Sequence, residues 1–204
     1  MFNLILKDIL IQKKIIIVYV ATLLLYLLLN ISPVFIGFIY SIVFIMTAYS
    51  YDEKDNINIL LNSLPYTRKE IVSSKYIGAL IFTSLFVIVI FVGDLVVNGN
   101  AALFSWKETL LIFGLVMVTT AFILPFSYKF KSQYLLIASA VLFGLYILAI
   151  SFFFRNLNDR LRELIQEFMT LQEIQFYFLA ILMILILYIA SWLLSIRIYE
   201  RKVF

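Results

Sequence analysis

The side chains that carry most enzymatic chemistry are missing from this chain. Its 204 residues include no cysteine and no histidine. That removes thiolate nucleophiles, disulfides and cysteine metal sites, and also the commonest general base and transition-metal ligand. Glycines stand at 37, 78, 93, 99, 114 and 144, and none begins the Gly-rich turn and Gly-Lys-Ser/Thr that a phosphate-binding P-loop needs. No catalytic set and no metal-ligand set is therefore expected. Asp94 is the one acid well inside a long apolar run. An intramembrane carboxylate is a functional candidate by default, whereas Gly93, Asn98 and Gly99 equally suit a helix end that meets water.

The elements that would position these residues are set by the chain's apolarity. Hydrophobic residues make up 64%, against roughly 45–50% in ordinary soluble domains, and mean hydropathy is +1.06. With charged residues at only 14%, a soluble fold could not cover itself with polar surface. The expected class is an all-α integral membrane protein forming one transmembrane domain over residues 1–204. An apolar helix needs about 20 residues to cross the hydrocarbon core. Six stretches qualify: 15–31, 34–51, 71–97, 108–127, 133–154 and 174–196. Only Asn30 to Pro33 separates the first two, with Pro33 placed to open a helix. Ser105-x-x-Glu108 has the form of a capping box and should start the fourth. Pro125 falls in that helix's last turn, where a missing N–H bends or ends it at little cost. Residues 1–29 are read as mature sequence: charges are spread over Lys7, Asp8, Lys13 and Lys14, and no small-residue cleavage site follows.

The net charge of +4 is a matter of topology rather than of nucleic acid. Alternating the loops puts Lys7, Lys13, Lys14, Lys54, Arg68, Lys69, Lys75, Lys129, Lys131, Arg197, Arg201 and Lys202 on one side. Only Lys107, Arg155, Arg160 and Arg162 fall on the other. The positive-inside rule makes both termini cytoplasmic. Tyr19, Tyr51, Trp106, Tyr128, Tyr134, Trp192 and Tyr199 lie near the expected interfaces, as aromatic belts do.

The longest cytoplasmic connection follows the second span, over residues 52–70. Ile57, Leu60, Leu61 and Leu64 fall at i, i+3, i+4 and i+7, one stripe of a short helix. Asp52, Glu53 and Asp55 would form its acidic first turn, and Pro65 stops it. Thr67-x-x-Glu70 then forms a second capping box leading into the third span. Such an apolar face either packs on its own bundle or the lipid interface, or docks in the groove of a cytoplasmic partner.

Asp52-Glu53-Lys54, then Leu60-Leu61-Asn62-Ser63-Leu64-Pro65, then Thr67-Arg68-Lys69-Glu70-Ile71-Val72 and Lys75-Tyr76 resemble the signature of bacterial type-2 ABC exporter permeases. The six spans and cytoplasmic termini fit the same family, whose members are permeases without an ATPase domain. The resemblance implies that residues 52–70 are a coupling helix seated on a separate ABC ATPase subunit, which would bind the ATP and Mg. Ile57, Leu60, Leu61 and Leu64 would be the buried anchors. Asp52, Glu53, Lys54, Arg68 and Lys69 would form the polar rim. It also implies a second permease copy, identical or paralogous, in the plasma membrane of a bacterium. The Ile-, Phe-, Asn- and Lys-rich composition suggests a low-GC Gram-positive source. Small permeases of this type include phenol-soluble modulin exporters and antimicrobial-peptide immunity pumps, so an amphipathic peptide is the expected cargo. A non-transporting sensor or immunity subunit would keep the same coupling helix. A secondary transporter would need repeated halves and midplane polar groups, for which only Asp94 stands.

Two further segments are amphipathic. Residues 2–14 place Phe2, Ile5, Leu6 and Ile9 opposite Asn3, Lys7 and Lys14, and are expected as an interfacial helix in the headgroup plane. In the resembling family this connecting helix also leans on the ATPase; the plain alternative is a lipid anchor with snorkelling lysines. Outside, residues 155–173 carry Leu157, Leu161, Leu164, Ile165 and Phe168 at helical spacing against Asp159, Glu163 and Glu167. That segment is either an external gate, with Leu161, Leu164, Ile165 and Phe168 as its face, or a helix lying on the outer leaflet. Ser191 and Ser195, and Ala79 and Thr83, form small-residue faces for helix contact.

Overall fold

A computed structural model describes residues 2–28, 32–54, 61, 63–98, 105–130 and 174–202. These form five long helices: α1 (Phe2–Leu28), α2 (Pro33–Lys54), α3 (Arg68–Asn98), α4 (Trp106–Lys129) and α5 (Ile174–Glu200). Four stretches among the described residues are long and apolar enough to cross a membrane: Pro33–Asp52, Arg68–Val96, Trp106–Lys129 and Tyr177–Glu200. The first half of α1 is diluted by Lys7, Asp8, Lys13 and Lys14, and its expected apolar run continues into residues 29–31, outside the described set. The expected fifth span, 133–154, and the external segment 155–173 also lie outside it.

The start signals work as their chemistry requires. Pro33 is the first residue of α2. Thr67 and Glu70 exchange a capping box: the Thr67 N–H donates to Glu70 Oε2 at 2.8 Å, and the Glu70 N–H to Thr67 Oγ1 at 3.2 Å. Ser105 and Glu108 form the same device ahead of α4. Pro125 does not end α4, which continues to Lys129.

The third helix is the hub, packing against each of the other four. Asp8 meets Lys75 and Tyr19 meets Phe86, so α1 and α3 run parallel. Trp106 meets Tyr177 at one end and Tyr128 meets Tyr199 at the other, so α4 and α5 are parallel too. One core cluster joins α1 to α4 through Leu23, Phe44, Phe82, Phe86, Ile90 and Ile112. Gly37 lets α2 approach closely there, because a Cβ at that position would sit 2.8 Å from the Ile112 side chain. A second cluster gathers Tyr49, Tyr76, Tyr128, Tyr188 and Tyr199, near the helix ends where chain order places the basic loops.

Two expectations change. Residues 2–14 are not a separate helix: α1 runs unbroken from Phe2 to Leu28. Its buried face is Leu4, Ile5, Asp8 and Gln12, while Phe2 and Leu6 are exposed. Charge pairing decides this orientation, because Asp8 must reach a cation inside the bundle. Likewise Asp52 and Glu53 do not open a new helix; they belong to the last turn of α2, which ends at Lys54. A carboxylate opposes the negative end of a helix dipole, and here the mismatch is relieved by two lysines.

With no native cysteine to remove, orientation is directly testable. Trp106→Cys, at an exposed position, should react with a membrane-impermeant maleimide on intact cells. Lys69→Cys, also exposed, should react only after permeabilisation. The reverse pattern would invert the topology.

Candidate functional site

Where α1, α2 and α3 meet, four charges close on one another. The Lys75 ammonium donates to both Asp8 carboxylate oxygens at 3.0 and 2.9 Å and to the Ala48 carbonyl at 3.3 Å. It lies 2.6 Å from Asp52 Oδ2. Lys7 donates to Asp52 Oδ1 and lies 3.4 Å from Asp8 Oδ1. Two cations and two anions therefore form a neutral quartet. Asp8, Asp52 and Lys75 are buried and Lys7 is half-buried.

Desolvating such charges costs roughly what their attraction returns, so a buried pair adds little net stability. Removing one member is different, since the remaining charge is stranded. The quartet thus specifies geometry more than it stabilises. Asp8 comes from α1, Asp52 from the last turn of α2, and Lys75 from the second turn of α3. Asp52 and Lys75 flank the two roots of the 55–66 connection, so both roots are fastened to the N-terminal helix.

The same end of the bundle is closed by cations on helix carbonyls. Arg68 donates to the carbonyls of Glu200 at 2.6 Å, Lys202 at 3.0 Å and Tyr199 at 3.4 Å. Lys202 donates to the Tyr128 carbonyl at 3.2 Å. Arg68 and Lys202 thus bind carbonyls at the C-terminal ends of α5 and α4, satisfying orphan acceptors and the dipole together. Below them, the Tyr76 hydroxyl bonds Ser191 at 2.8 Å and Ser195 at 2.7 Å, Ser191 donates to the Ala121 carbonyl at 2.5 Å, and Tyr188 donates to the Tyr76 carbonyl at 2.8 Å. The small-residue face of α5 is thereby used as a polar seam to α3 and α4.

The expected site residues divide accordingly. Ile57 and Leu60 lie outside the described residues, as do Leu161, Leu164, Ile165 and Phe168, and the side chains of Glu53 and Lys54 are not described. Leu61 is buried with Leu4, Tyr49, Ile71 and Val72, whereas Leu64 is 42% exposed. Asp52 and Arg68 face inward to partners of their own chain, while Lys69 and Lys14 are exposed. Asp94 is buried and has an interaction partner. Asp8 was not singled out by sequence; a lone acid in a lysine-rich helix was the available signal.

A family model described as ABC-2 family transporter protein matches residues 3–200. No curated protein and no solved structure matches the chain.

Lys75→Met should destabilise the purified protein by about 3–5 kcal/mol, read as a lowered melting temperature in detergent. Lys75→Met combined with Asp8→Asn leaves the neutral Lys7–Asp52 pair and should cost less. Wild-type stability in the single variant would contradict the quartet.

Proposed function

The chain belongs to the ABC-2 family of transporter proteins, and from that membership we propose that it is the permease subunit of an ATP-driven exporter. In this reading it works with a separate ABC ATPase chain, which binds ATP and Mg, and with a second permease, identical or paralogous. The cargo is apolar or amphipathic, with a peptide as the leading class. The chain resides in the plasma membrane of a bacterium with both termini in the cytoplasm.

The observation that carries the reading is the anchored connection between α2 and α3. A loop that is to deliver force must be fixed at both roots, and this one is held by the quartet on both sides. The parallel packing of α4 and α5 supports the six-span count: α4 ends at the face where α5 also ends, so residues 131–173 connect opposite faces. The cargo class is supported by the balance of buried charge. Among the described residues the buried charged side chains are Asp8, Asp52, Lys75 and Asp94, and the first three belong to the neutral quartet. A hydrated ion would need more than Asp94 along its route.

Docking is tested by co-purification with the ATPase encoded beside this chain. Leu64 is the informative position because it is exposed; Leu61→Glu would disturb the chain's own core. Leu60→Glu with Leu64→Glu should abolish association while membrane insertion and melting temperature hold. Undiminished association would sink the docking reading.

A further inference from the structure

We propose that Lys7, Asp8, Asp52 and Lys75 are positioning residues that make α1 the driven element of the transporter, moving with both roots of the docking loop. The inference rests on the exporter reading above and goes beyond it, because a docked loop alone does not determine which helices follow it.

Three observations carry it. The quartet is the point where α1, α2 and α3 exchange charge, and two of its members stand at the loop's roots: Asp52 two residues before the end of α2, and Lys75 within the opening turns of α3. The partners on α1 are adjacent residues, Lys7 and Asp8, which grip Asp52 and Lys75 in alternation. Neither root can shift against α1 without breaking an ion pair in a site where three of the four charged side chains are buried, and a charge stranded there is costly. The joint is therefore stiff in shear and discrete: it holds or it breaks.

The contrast with the opposite side of the bundle sharpens the assignment. Tyr76 is tied to α5 through two serine hydroxyls, and Arg68 through backbone carbonyls. Neutral hydroxyls can exchange partners along a helix at small cost, whereas paired buried charges cannot. Movement between α3 and α5 is consequently easier than movement between α3 and α1. Nucleotide closure should carry α1 and α3 together and displace them relative to α4 and α5.

The absence of native cysteine makes the test clean. Spin labels at Leu10→Cys on α1 and Phe122→Cys on α4, both exposed positions, report the α1–α4 distance in the full complex with the ATPase. The complex is compared without nucleotide and with ATP trapped by orthovanadate. The expected result is a change of at least about 2 Å between the two states. The change is reduced in Lys7→Gln with Asp52→Asn, a balanced variant that frees the α2 root and keeps only the Lys75–Asp8 pair, while ATPase binding persists. Asp8→Asn with Lys75→Gln is the second balanced variant and should behave alike. A wild-type distance that does not respond to nucleotide overturns the proposal without any variant. An unchanged response in either folded variant overturns it as well. A merely structural role would lower the melting temperature and leave the response per complex intact. Failure of the wild type to bind the ATPase is a separate outcome, which removes the exporter reading and this inference with it.

Discussion

A charge removed from water must have a fixed partner, and at the basic end of this bundle that requirement organises three helices at once. Asp8 turns the α1 face that carries Leu4, Ile5 and Gln12 inward, Lys75 holds it there, and Asp52 closes the circuit with Lys7. The orientation of α1, the extension of α2 through its acidic last turn, and the placement of the loop's roots all follow. Hydrophobic burial cannot supply such positional definition in a membrane, because lipid tails are as apolar as the side chains they would leave. Polar joints and close packing do it instead.

The basic residues consequently have two uses. Their asymmetry across the chain is the signal from which an orientation is proposed, and individually some of them bind the C-terminal carbonyls of helices that arrive at that face. Arg68 and Lys202 do so. Members of the same basic set thereby close helix ends. Other basic residues that the charge count assigns to this face are exposed, Lys13, Lys14, Lys69, Lys129, Arg197 and Arg201 among the described residues. At the loop itself Leu64 and Lys69 are exposed together, so an apolar contact with a basic rim is available there.

Much of this arrangement was legible in the residues. Apolar length marked four spans that the structure describes as helices, and the Thr67–Glu70 and Ser105–Glu108 capping boxes marked where two of them start. The small residues Ser191 and Ser195 do lie in a helix interface. What periodicity missed was the direction of polar side chains. Amphipathic spacing gives Asp8 no inward partner; a lysine 67 residues away turns it inward. Asp52 misled for the same reason: an acid beside a loop suggests a helix start, unless a distant lysine neutralises it at a helix end. Long-range charge pairing leaves no local spacing to read.

The central claim is that the connection held by the quartet is the surface on which the ATPase acts. Amide hydrogen exchange of the lipid-embedded chain, alone and in complex with the ATPase, tests it most directly. Backbone amides of residues 57–66 should exchange about tenfold more slowly in the complex, while those at the N-terminal start of α4 are unchanged. Unaltered exchange over 57–66 in a stable complex would contradict the claim and place the ATPase contact elsewhere on the chain.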